Sequence, residues 1–134
     1  MDITTFDELL QAARQQAVPQ RLLLVFAGAG LPEHATEAQR AEFEAGEGGE
    51  LAPLMCVDKS PHELADFQAL AAEAATLDSP WVLVFAAAME GQGGVPPLAA
   101  DVDAALQRMV QAVRGGNIER FVVFDTVGQA VRLG

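Results

Sequence analysis

Leu22-Leu23-Leu24-Val25-Phe26-Ala27 is an unbroken apolar run, followed at once by Gly28-Ala29-Gly30-Leu31-Pro32. A run this short, with no polar residue on either alternation, reads as a β-strand covered on both faces rather than as a helix. The tetrapeptide Leu-Val-Phe-Ala returns at 83–86, inside a second continuous apolar stretch from Trp81 to Ala87. Around these two strands the chain alternates with helical patterns. Thr5 and Glu8 have capping-box spacing, and Phe6, Leu9, Leu10, Ala13 and Ala17 follow at helical intervals, which predicts a helix from Thr5 to about Gln16. Thr36 to Gly46 reads as a short helix whose apolar face is mostly alanine, with Phe43 alone adding bulk. Ser60-Pro61-His62-Glu63 combines an N-cap, a proline suited to the first turn and a capping-box glutamate. It predicts a helix beginning there and running through Phe67, Leu70 and Ala74 to Leu77. Val102, Ala105, Leu106, Met109, Val110 and Val113 mark a further helix, ended by Gly115-Gly116.

Three more strands complete the pattern: Leu51 to Val57, Ile118 to Phe124, and Ala130 to Leu133. Pro53 cannot donate to a β-ladder, so the first of these lies at a sheet edge or carries a bulge. Gly128 is placed to turn the last two into a hairpin. The order is α-β-α-β, twice, then a final strand. An internal αβαβ duplication would produce it, and so would the narrow palette of buried strands. The expectation is one α/β domain over residues 1–134, a sandwich with a mostly parallel or mixed sheet of about five strands, about four helices and a C-terminal β-hairpin.

The chain has 134 residues, with 8 Lys and Arg against 19 Asp and Glu, for a net charge of -11. Such a surface repels phosphate backbones, and the basic residues are scattered singly, so nucleic acid is not an expected partner. One cysteine, Cys56, excludes an intramolecular disulfide. The acidic start lacks the basic residues and apolar run of a signal peptide, and no apolar stretch approaches the ~18 residues of a membrane span. A soluble, cytoplasmic protein is expected, with no membrane partner.

Reactive residue types are densest in Cys56-Val57-Asp58-Lys59-Ser60-Pro61-His62. A thiol near a helix N-terminus, with Lys59 and His62 close by, is the arrangement that makes a cysteine nucleophilic. Against it, a free cysteine in a strand is usually a small buried hydrophobe, and Ser60 is already explained as a cap. In an open parallel α/β sheet, ligands gather beyond the carboxyl ends of the strands. That places Cys56, Asp58, Lys59, His62 and Glu90 as candidate catalytic residues around a pocket between the loops after the two Leu-Val-Phe-Ala strands. The loop Glu90-Gly91-Gln92-Gly93-Gly94 lacks the lysine and threonine of a phosphate-binding loop and reads better as a connector or a partner-facing loop. His34, His62 and Cys56 have no zinc-ligand spacing, so no metal and no cofactor is expected. The acidic run Glu33, Glu37, Glu42, Glu44, Glu47 and Glu50 reads as a solvated face, or as a dock for a basic partner.

Phe6-Asp7-Glu8-Leu9-Leu10, Leu24-Val25-Phe26-Ala27-Gly28-Ala29, Pro53-Leu54-Met55-Cys56-Val57-Asp58-Lys59, Leu106-Gln107-Arg108-Met109 and Phe124-Asp125 together resemble a family of small bacterial proteins carried under the label "ribonucleotide reductase subunit alpha". The resemblance covers nearly the whole chain and brings no catalytic motif with it, so it implies no site residues. The labelled reaction needs a redox cysteine pair, a separate radical cysteine and, in the aerobic enzymes, radical-relaying tyrosines. This chain has one cysteine and no tyrosine.

Strong fold signals without a convergent catalytic set point to a small binding or protein-interaction module, acting as a homo-oligomer or with a protein partner. The alternatives are a small-molecule enzyme with its pocket near Cys56 and Glu90, and an accessory subunit docking on a larger enzyme.

Overall fold

A computed structural model describes residues 3–30, 36–44, 50–76 and 80–132. Helix α1 (Phe6–Arg14) leads into strand β1 (Gln20–Gly30), followed by α2 (Glu37–Glu44), β2 (Glu50–Lys59), α3 (Phe67–Ala74), β3 (Leu83–Glu90), α4 (Ala99–Arg114), β4 (Val122–Phe124) and β5 (Ala130–Val131). The strands form one sheet in the order β2-β1-β3-β4-β5.

Every pairing in that sheet is antiparallel, which overturns the expected parallel or mixed sheet. The continuous apolar runs correctly indicated strands covered on both faces, but coverage does not encode direction. Alternation of helices with strands does not by itself make each helix a parallel crossover. A crossover helix must bury a face against the sheet, and residues 36–41 of the α2 segment are all exposed. It sits in the connection that returns β2 antiparallel beside β1. Only α3 joins two strands of the same direction, β2 and β3, and β1 lies between them.

Leu22 to Ala27 form the centre of this sheet, each at most 5% exposed. Alternation divides them between two cores. Leu22, Leu24 and Phe26 pack with Phe6 and Leu10 of α1 and with Phe67, Leu70 and Ala74 of α3. Leu23, Val25 and Ala27 face Val102, Leu106, Met109 and Val113 of α4 on the opposite side. Helices therefore pack on both faces of β1.

The edge strand β2 carries the proline. Phe26 pairs with Met55 and Ala27 with Pro53, so the ladder shifts register at Leu54. The proline thus occupies an edge strand and adjoins a bulge, the two settings that spare its missing N–H.

The Ser60 capping box forms as its sequence implies: the Glu63 carboxylate accepts from the Ser60 amide at 2.7 Å, and the Glu63 amide donates to Ser60 Oγ at 3.2 Å. It closes only a turn over 61–63, however, and α3 begins later, at Phe67. Asp66 caps it, accepting from the Ala69 amide, and Asp7 of α1 accepts from the Phe67 amide at 2.9 Å. Arg14, at the end of α1, donates to the carbonyls of Pro61, Leu64 and Ala65. A charged group that satisfies otherwise unpaired backbone carbonyls stabilises an irregular segment that has no ladder of its own.

The β4–β5 hairpin turns at Gly128, where φ is 83°. The Gly128 carbonyl accepts from the Phe6 amide at 2.8 Å, tying the start of α1 to the hairpin. A Cβ on Gly128 would lie 3.0 Å from the Phe67 ring. Gly128→Ala combines a left-handed conformation with that contact, and we expect it to destabilise the fold by about 1–3 kcal/mol, read as a lower urea midpoint.

Thr5 caps α1 in a complete capping box with Glu8. The Glu8 carboxyl is held below its ordinary value chiefly by the Thr4 hydroxyl and then by the Thr4 amide, with the Thr5 amide and hydroxyl adding to them and desolvation opposing. A carboxylate lowered in the folded state contributes stability above its unfolded pKa and loses it as pH falls through the folded value. Glu8→Gln should therefore be less stable than the parent at neutral pH. The difference should close in acid, and an NMR titration should place the Glu8 midpoint below that of a free glutamate.

Candidate functional site

Because β1 and β3 are antiparallel, the loops after the two Leu-Val-Phe-Ala strands leave opposite ends of the sheet. The expected pocket between them does not form. β2 and β3 do run in the same direction, so the Cys56–His62 segment and Glu90 arrive at one end, with Gln20 and Arg21 of β1 between them.

That shared end does not gather the candidates into one cavity. Cys56 pairs with Val25 in the middle of β2 and is half-buried against the α4-side core. Asp58 projects to the same face and is held by Arg21, with Nε to Oδ2 at 2.6 Å; Arg21 also approaches Glu63 at 3.5 Å. Lys59 points to the opposite face, where its Nζ meets Glu73 of α3 at 2.8 Å. His62 is exposed beside a cavity of about 310 Å³ that Arg14, Arg21, Ser60 and Pro96 also line. Glu90 lines a different cavity of about 300 Å³ with Gln92, Val95 and Asp101.

The glycine-rich loop is built around a close approach. A Cβ on Gly91 would fall 1.6 Å from the Val95 carbonyl oxygen, while the Gly91 amide donates to Pro19 at 3.1 Å. This glycine serves the packing of its own loop. His34, Glu33 and Glu47 lie outside the described residues. Among the described residues, no three of His, Cys, Asp and Glu cluster as metal ligands would.

A larger cavity than either of these lies elsewhere, with a volume of about 600 Å³. Its floor is the cross-strand pair Leu23 and Ala87. Ala105, Arg108, Met109 and Ala112 of α4 form one wall, and Asn117, Glu119, Arg120 and Phe121 form the other. The second wall is anchored at both ends. Beyond α4, the amides of Gly115, Gly116 and Asn117 donate to Gln111, Val113 and Ala112 at 3.0, 3.2 and 2.8 Å. At the far end Phe121 meets Phe85 edge-on, ring centroids 6.5 Å apart.

Sequence reasoning missed this site because it extended the strand back to Ile118. The structure has strand only from Val122 to Phe124, with turn over Glu119-Arg120. The available signal was Gly115-Gly116-Asn117 followed by Glu119-Arg120, a break and a charged pair where a buried strand should be apolar. Comparison with protein-family models, curated proteins and solved structures gave no match.

Half-burial within a paired strand restricts reagent approach to the Cys56 sulfur. We expect Cys56 to react with a disulfide reagent several-fold more slowly than a free thiol at neutral pH, and fully once the chain is unfolded. A rate at or above that of the free thiol would return Cys56 to the catalytic candidates.

Proposed function

We propose that this chain is a binding module without catalytic activity of its own, with its site in the cavity between α4 and the 115–121 turn. The observation that carries this reading is the cavity's make-up: about 600 Å³, an apolar floor, and a few polar groups contributed by two separate elements. Such a pocket is of the size and character that takes small ligands. Dispersal of Cys56, Asp58, Lys59, His62 and Glu90 favours binding over chemistry, since Asp58 and Lys59 are engaged in separate ion pairs and, among the described residues, His62 and Glu90 line different cavities. The resemblance to small bacterial proteins is in keeping with this, as it brings no catalytic motif. A single thiol with no partner to oxidise suits the reducing cytoplasm. No helix among the described residues is long and apolar enough to cross a membrane.

A second reading has its own support. Val95 and Leu98, at 56% and 69% exposed, sit on one loop, an arrangement that suits self-association. Native mass spectrometry of the untagged protein tests both readings together. We expect a retained small molecule that is lost when Ala105→Trp fills the cavity. A dimer without a bound molecule, broken by Val95→Asp, would establish the loop as an interface instead. A bare monomer would overturn both.

A further inference from the structure

Resting on the reading of this cavity as the binding site, we infer that its ligand is a carboxylate carried on an apolar body. Arg108 and Arg120 hold the carboxylate, and Leu23, Ala87, Met109 and Phe121 receive the body. In a chain of net charge -11 with only eight basic residues, two arginines lining one cavity are informative. Arg14 is engaged with backbone carbonyls, Arg21 with Asp58 and Glu63, and Lys59 with Glu73. Arg108 and Arg120 come from different elements and line the same cavity, and neither forms an ion pair with a described carboxylate. Glu119, on the same rim, is not within ion-pair distance of either.

Three features favour a carboxylate. A guanidinium fork matches its two oxygens in a bidentate geometry. Glu119 reduces the charge of the lining to a single net positive, which suits a monoanion better than a dianionic phosphate. The last carbonyls of α4 would repel an anion, but those of Gln111, Ala112 and Val113 already accept from the amides of 115–117. Below the rim, Leu23 and Met109 are 5% and 3% exposed, so the floor offers hydrocarbon rather than competing polar groups. The Phe121 amide donates to the Ile118 carbonyl at 3.1 Å, so the backbone that carries Arg120 is ordered before any ligand arrives, which lowers the ordering cost of binding.

The test is an amide-resolved NMR titration of the full chain with octanoate, octanamide and octyl phosphate, repeated on Arg108→Gln and Arg120→Gln. Both arginines are exposed, so their replacement leaves the core untouched. Octanoate should bind saturably, with shifts centred on residues 105–121, Leu23 and Ala87. Each substitution should weaken octanoate by about tenfold and leave octanamide unchanged, and octanamide should bind more weakly than octanoate to the parent. Equal binding of octanoate and octanamide, indifferent to both substitutions, would overturn the anion assignment while leaving the cavity as a binding site. Tighter binding of octyl phosphate than of octanoate would overturn the choice of carboxylate. Absence of binding by all three probes would overturn the inference together with the reading on which it rests.

Discussion

β1 must be covered on both faces and paired on both edges, and the rest of the structure follows from that requirement. Six successive apolar residues cannot face water on either alternation, so Leu22, Leu24 and Phe26 demand one layer of helices and Leu23, Val25 and Ala27 another. Its partner on one side is the second copy of its own tetrapeptide. Leu24 faces Ala86, Val25 faces Phe85, Phe26 faces Val84 and Ala27 faces Leu83. Antiparallel self-pairing of Leu-Val-Phe-Ala sets each larger side chain opposite a smaller one. An in-register parallel pairing would instead stack Phe on Phe and Leu on Leu, leaving the sheet surface uneven for the helices above it.

Local features were legible in the sequence because they depend on neighbours along the chain. The Thr5–Glu8 box, the Gly128 turn and the edge position of Pro53 each rest on a property of one residue type: a side-chain acceptor, access to positive φ, a missing N–H. Strand direction was not legible in the strands themselves, because the same buried strand satisfies either ladder. The decisive clue was the weakness of the α2 sequence, whose alanine-rich face offers too little to anchor a crossover. The helix after Ser60 shows the same limit. Its capping box is real but is cut short as Arg14 and Asp7, 47 and 60 residues away from their backbone partners, organise the segment differently.

These long-range contacts also explain why the reactive residues do not form a site. Arg14 and Asp7 fix the backbone between β2 and α3, and in that setting Arg21, Asp58 and Glu63 meet one another while Lys59 reaches Glu73. A sequence cluster such as Cys56–His62 is divided by strand alternation: Cys56 and Asp58 go to one face and Lys59 to the other. Closeness in sequence within a strand therefore separates side chains that the same spacing on a helix would unite.

The cavity occupies the place where the sheet's own symmetry calls for a second helix. β2-β1 and β3-β4 are equivalent in order and direction about the centre of the Leu-Val-Phe-Ala pairing. α1 and α3, each preceding one of the two central strands, lie on the same face as that equivalence requires. On the other face α4 packs across β1 and β2, so its counterpart would cross β3 and β4. The element at that position in the chain is α2, whose residues 37–41 are exposed. Over β3 and β4 lies the 117–121 turn, with Phe121 shielding Phe85. A turn covers less area than a helix, and the remaining space between it and α4 is the cavity floored by Leu23 and Ala87. The departure from symmetry that leaves this face half-covered is thus also what brings Arg108 and Arg120 to the rim of one pocket.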